Sequence, residues 1–163
     1  MYSDISVLHD KKDIAKACVE EVKALYDSLP TENGKVSFRA LSSKTKVVDH
    51  IVFACIIHLG LQEQVVYDRA IHIPNHVPET LAVVRKFHSQ TGISPTVREV
   101  ATAIKRSTST IHQDLIFLKL MGFVEYWSGM GRSIRPVEDP PVDLEELIGA
   151  VNALTEEGKK EKE

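Results

Sequence analysis

The chain has 163 residues, 43% hydrophobic and 26% charged, with a formal net charge of −3. That is enough apolar material for one large or two small cores. No run reaches the roughly 20 apolar residues of a membrane span, and Met1-Tyr2-Ser3-Asp4 lacks the basic-then-apolar order of a signal peptide, so a cytoplasmic protein is expected.

The charge is unevenly spread. Residues 79–137 carry eight Lys/Arg against four Asp/Glu, residues 1–78 nine against ten, and residues 138–163 three against nine, which gives +4, −1 and −6. The excess cation in the middle segment is what a polyanion-binding surface needs. Cys18 and Cys55 fall on apolar helix faces without a Cys-x-x-Cys partner and read as buried reduced thiols. The seven histidines show no ligand spacing, and His72-Ile73-Pro74-Asn75-His76 is interrupted by proline, so no metal or other cofactor is expected.

In chain order, the first nine residues have no clear period. Over 10–29 the set Ile14, Cys18, Val22, Leu25 and Leu29 advances by three or four, an amphipathic helix closed by Pro30. A turn at 31–34 precedes a short helix at 37–44 and a strongly apolar helix at 46–59 that ends at Gly60. That helix is apolar nearly all round, so it is buried on more than one side, against the other half of the chain, a second copy or one continuous core. Residues 64–73 have strand character, and Ile73 to Pro78 form a stiff, proline-bounded connector.

From Glu79 the pattern sharpens. A helix at 79–90 offers Leu81, Val84 and Phe87 on one face. Thr96 and Glu99 stand in the Ser/Thr-x-x-Glu relation of a capping box and start a second helix that carries Val97, Val100 and Ile104 inward. A third helix opens near Ser107, buries Ile111, Leu115 and Leu118, and stops at Gly122. Residues 123–127 and 132–137 read as strands around the turn Ser128-Gly129-Met130-Gly131. Three helices followed by a hairpin make a winged helix-turn-helix. With its apolar face inward, the third helix leaves Ser107, Thr108, Ser109, Thr110, His112 and Gln113 on or near the other side, short or flat groups able to bond base edges or phosphate. Lys105 and Arg106 precede that helix as backbone contacts, and Arg132 at the wing tip is the expected minor-groove or phosphate contact.

Beyond the wing, 138–141 is a linker. Residues 143–154 form a helix capped by Asp143, with Leu144, Leu147, Ile148, Val151 and Leu154 on one stripe suited to a partner helix. The charged tail 156–163 has too little apolar surface to fold. Sliding the chain by the 62 residues that carry Gly60 onto Gly122 also aligns Ile56 with Leu118 and Phe53 with Leu115. The expected architecture is therefore mainly α with small β-hairpin wings: an N-terminal helical unit, 1–74, that reads as a degenerate second winged helix or one continuous helical domain; the winged helix at 79–137; and the linker, helix and tail of 138–163.

Residues 79–137 resemble the DNA-binding domain of the LexA repressor family. The text that carries this is Phe87-x4-Gly92-x2-Pro95-Thr96-x-Arg98-Glu99-Val100-Ala101, Ser107-x-Ser109-Thr110-Ile111-His112-x2-Leu115-x2-Leu118, Gly122-Phe123 and Arg132-x-Ile134. The resemblance implies a bacterial, archaeal or phage regulator whose third helix enters the major groove of a two-fold operator, and it places Arg98 in the DNA-binding set. The turn at Ile104-Lys105-Arg106-Ser107 is tighter than the family's. Only 26 residues follow Val137, so the family's self-cleaving peptidase is not expected.

The reading that follows is a sequence-specific regulator of double-stranded DNA, repressor-like and homodimeric, with the N-terminal unit free for a protein partner. A plasmid or phage replication or partition protein with tandem winged helices is the second reading, and a winged-helix protein-interaction module the third. No catalytic constellation is visible.

Overall fold

The computed structural model describes residues 13–127 and 130–162. They form two compact units, Cys18–Ile73 with Val142–Glu163, and the described residues up to Ala17 with Pro74–Pro141. The expectations for the first nine residues and for the start of the first helix at residue 10 fall outside the described part.

The first of these units contains α1 (Ile14–Ser28) from Cys18 onward, β1 (Val36–Ser37), α2 (Phe38–Ser43), α3 (Asp49–His58), a 3-10 turn (Gln62–Gln64) and β2 (Val65–Val66). In α3, every residue from His50 to Ile56 is at most 5% exposed, so the apolar surface of this helix is covered within its own chain. Each large side chain so placed contributes about 1.5–3 kcal/mol. Tyr67 packs its ring 5.9 Å from those of Phe38 and Phe53. Asp68 secures the entry to α2, accepting from Ser37 Oγ at 2.5 Å and from the Arg39 amide at 2.8 Å.

The strand expected over 64–73 shrinks to Val65–Val66, which pairs parallel with β1. Beyond it the chain anchors through buried Ile71 and Ile73 instead of a ladder. Its polar interruption, Asp68-Arg69, is spent on Ser37, Arg39, Ser42 and Asp49. At the other end of the unit, α7 (Leu144–Lys162) buries Leu144 and Val151, and Asp143 Oδ2 accepts from the Glu146 amide at 3.4 Å. The tail at 156–163, expected to stay unfolded, is helical as far as Lys162. Glu and Lys are strong helix formers, and extending an existing helix needs no new nucleus.

The second unit holds α4 (His76–Thr91), α5 (Val97–Ile104), α6 (Thr108–Leu120), β3 (Val124–Glu125) and β4 (Arg135–Pro136). The helix expected from residue 79 starts at His76, because Pro78 sits in its first turn, where a missing N–H is no loss; the connector is correspondingly shorter. The three helices pack on one another, with β4 against α4, around buried Val77, Leu81, Val84, Val100, Ile111, Leu115, Phe117, Leu118 and Phe123. The wing is antiparallel, as Val124 faces Pro136 and Glu125 faces Arg135, but shorter than the expected strands at 123–127 and 132–137. Pro136 has no N–H to donate. Val137 N donates to Phe123 O on one side, and the Trp127 amide turns to the Ser133 hydroxyl on the other.

Within each unit the 62-residue offset recurs. Carried forward by it, the bounds of α1 become 76–90 against His76–Thr91, and those of α3 become 111–120 against Thr108–Leu120. Gly60 and Gly122 both have left-handed φ, +71° and +85°, and each is followed by the same cap: Leu61 N to Ile56 O at 3.0 Å, and Phe123 N to Leu118 O at 2.8 Å. The units differ after the cap. Among the described residues, no hairpin follows Gly60; the single strand β2 joins β1 instead.

Candidate nucleic-acid interface

The helix-turn-helix is built from local chemistry. Thr96 Oγ1 accepts from the Glu99 amide at 3.1 Å and Glu99 Oε1 accepts from the Thr96 amide at 3.2 Å, closing the capping box at the start of α5. At its end Lys105 takes a left-handed conformation, φ 58° and ψ 46°, and Arg106 N donates to Ala101 O at 3.0 Å. A lysine thus fills the position that a glycine normally occupies, which lets the tight turn at 104–107 keep a helix-turn-helix path. Ser107 then caps α6, its hydroxyl accepting from the Thr110 amide at 3.2 Å and lying 3.0 Å from Thr110 Oγ1.

The expected face is brought together. Lys105, Arg106, Ser107, Thr108, Ser109, His112 and Gln113 are exposed on the turn and first two turns of α6; Thr110 is half-buried. Ile111, Leu115 and Leu118 are buried beneath them. Ser107 and Thr110 use their hydroxyls in the cap, which leaves Ser109, His112 and Gln113 as the side chains best placed to address a groove. Arg98 is exposed on the first turn of α5.

Arg132 has a different position from the one its wing-tip location suggests. Its Nη2 lies 2.9 Å from Glu99 Oε1 and its Nη1 donates to Ser94 O at 3.2 Å. The guanidinium therefore fastens the wing to the cap of α5. Partial desolvation pushes the Glu99 carboxyl up, but the Thr96 hydrogen bonds and Arg132 outweigh it and hold the group below the usual carboxylate range. The wing is also wired internally. Ser133 Oγ donates toward Trp127 O and Met130 O, at 3.1 and 2.9 Å. Lys119 of α6 donates to Tyr126 O at 2.9 Å while its ammonium sits 4.6 Å from the Tyr126 ring centre.

A polar group that sequence reasoning missed lies under the reading face. Asp114 is fully buried in α6. Its Oδ2 accepts from Thr80 Oγ1 at 2.7 Å, and His76 Nδ1 stands 2.8 and 2.9 Å from its two oxygens. Burial pushes the Asp114 carboxyl up, against the opposing pull of Thr80, His76 and Arg106. This cluster ties the first turn of α4 to the middle of α6. The only sequence signal for it was an acidic residue on the buried stripe three positions after Ile111.

A capped three-helix unit with a two-stranded wing, carrying an exposed polar first half on its third helix, is a winged helix-turn-helix DNA-binding domain. The family model described as LexA DNA binding domain matches residues 77–133, which is consistent with a LexA-type DNA-binding segment. No curated protein matches the chain. Among the described residues, no helix is long and apolar enough to cross a membrane.

Proposed function

We propose that the protein is a sequence-specific regulator that binds double-stranded DNA as a homodimer and acts as a repressor. The observation that carries this is the face of α6. Its first two turns expose short polar and amide side chains over an underside that is apolar apart from the buried Asp114, and two cations stand at its entrance. In this reading Lys105 and Arg106 meet the phosphates, and Ser109, His112 and Gln113 meet base edges. Gln113 offers an amide able to pair with adenine. Arg98 and Thr108 flank that face, and Arg132 acts by holding the wing in place. A dimer follows from the small reading surface, which needs two half-sites for adequate affinity. Because α3 is covered within its own chain, of the two apolar helices it is α7, with half-buried Leu147, Ile148 and Leu154, that is left for such a contact.

Selection of bound DNA from a random pool tests the proposal. Enrichment of one palindrome supports it; no enrichment contradicts it. A second reading, an initiator or partition protein with tandem winged helices, is favoured by the 62-residue correspondence of helices and caps. It predicts directly repeated sites in the same experiment.

A further inference from the structure

Between the first turn of α5, the middle of α6 and the wing, the DNA-binding unit holds an open groove of about 570 Å³, within the range of roughly 300–1,000 Å³ typical of ligand pockets. Val97, Ile116 and Ile134 line it, the last two of them buried. Trp127 and Met130 of the wing line it as well and are 60% and 61% exposed, so two large apolar side chains stand beside the groove with most of their surface in water.

The charge of the lining is one-sided. Arg98, His112 and Arg132 are among the lining residues, and no carboxylate is. Arg132 is committed to Glu99 and Ser94. Arg98 and His112 are exposed, and among the described residues neither is paired with a carboxylate. His112 and Ile116 are four residues apart on one face of α6, which sets an imidazole next to an aliphatic side chain in the same groove.

An apolar trough beside an unpaired guanidinium is the complement of an apolar acid. The hydrocarbon gains by leaving water, a planar ring gains further against the Trp127 indole, and a carboxylate accepts two parallel N–H bonds from an arginine. Other chemistries fit poorly. A cation would meet Arg98, and the hydroxyl groups of a sugar would face Val97, Ile116 and Ile134 without a hydrogen-bond partner.

We propose that this groove is an effector site for an aromatic monocarboxylate, with its ring against Trp127, Ile116 and Ile134 and its carboxylate held by Arg98 beside His112, and that filling it releases DNA. Arg98 and His112 belong to the proposed DNA-reading set, so the acid and DNA compete for the same two groups. The release half rests on the proposed function; the binding half does not.

Isothermal titration calorimetry of the full-length protein with three probes of one shape, naphthoate, naphthamide and naphthylmethylammonium, tests the site. Naphthoate should bind saturably at one site per chain, at least about tenfold tighter than the other two, the ratio expected of a hydrogen bond to a charged group. Arg98→Ala should abolish that preference, Arg98→Glu should reverse it in favour of the ammonium, and Trp127→Ala should weaken all three probes together. Both side chains are exposed, so the variants should melt with the wild type; the wild-type ranking of the probes decides the matter even where one does not. No saturable heat with naphthoate, equal affinity for naphthoate and naphthamide, or a preference that survives Arg98→Ala overturns the inference. So does naphthoate binding that appears only as dilution dissociates the protein in sedimentation, since that assigns the groove to a second copy. Release is measured separately, by the anisotropy of a labelled duplex carrying the selected palindrome. Naphthoate at about ten times its own dissociation constant should lower the apparent DNA affinity roughly tenfold, as competition requires, and naphthamide at the same concentration should not. DNA affinity that is equal with and without naphthoate overturns the release half alone. Absence of any DNA binding counts against the proposed function and against the release half with it, while calorimetry still decides the site.

Discussion

Asp114 is the residue whose removal tests most sharply how the reading helix is held. Asp114→Ala strips Thr80 of its acceptor, and Thr80 is itself 0% exposed. An unpaired buried hydroxyl destabilises by about 1–3 kcal/mol, and the cavity left by the carboxyl group adds to that. A total of about 2–4 kcal/mol corresponds to a fall of roughly 8–30 °C for the transition of a unit this size, at about 4–8 °C per kcal/mol. Asp114→Asn keeps an acceptor for Thr80 and removes the buried charge, so it should melt close to the wild type near neutral pH. The two proteins should then separate with pH. The Asp114 carboxyl titrates above its unfolded value, so between that value and the raised one the folded state binds more protons than the unfolded state. Its contribution therefore falls as pH rises through that window and is largest below the unfolded value. Asp114→Asn should flatten this part of the stability profile, with His76, Thr80 and Arg106 as the groups facing the site. Thermal melts of the full-length proteins across the acid range provide the assay. An Asp114→Ala protein that melts like the wild type would refute the view that this cluster clamps α6 to α4.

Other substitutions divide affinity from architecture. Lys105→Ala and Arg106→Ala should each weaken binding to all DNA sequences and reduce the salt slope by about one unit, read by titration at several salt concentrations. Lys105→Gly should do the same to binding while raising stability by about 1 kcal/mol, because glycine adopts the left-handed conformation at no steric cost. Arg132→Ala should lower the melting temperature, and a double-mutant cycle with Glu99→Ala should be markedly non-additive, since both changes remove one ion pair.

The parts of the fold written in local chemistry were legible from sequence. The capping box at Thr96 and Glu99, the Ser107 cap and the stop at Gly122 each depend on a few adjacent residues, and each stands where the spacing puts it. The apolar run of α3 likewise declared its own burial. What escaped depends on partners distant in sequence. Arg132 reads as a wing-tip DNA contact until Glu99 is found 2.9 Å away, and the role of Asp114 on the buried stripe is invisible until Thr80 and His76 enclose it. The strand expected over 64–73 failed for a related reason. Apolar content alone does not distinguish a strand from a buried irregular segment, and the strand it pairs with, β1, is only two residues long. The left-handed Lys105 had no sequence signal, since non-glycine residues adopt that conformation only where the surrounding turn imposes it.

The proposed reading of DNA requires α6 to turn Ile111 inward and Ser109 and Gln113 toward the groove. Melting temperature and operator-versus-random affinity, measured together on Gln113→Ala, Ser109→Ala and Ile111→Ala, decide whether it does. With the helix so oriented, the first two variants melt normally and lose discrimination, by roughly 1–3 kcal/mol for a good bidentate contact. Ile111, 0% exposed, should instead lose roughly 2–5 kcal/mol of stability. A Gln113→Ala protein that unfolds, or an Ile111→Ala protein that keeps its full stability, would contradict the assigned face of the helix.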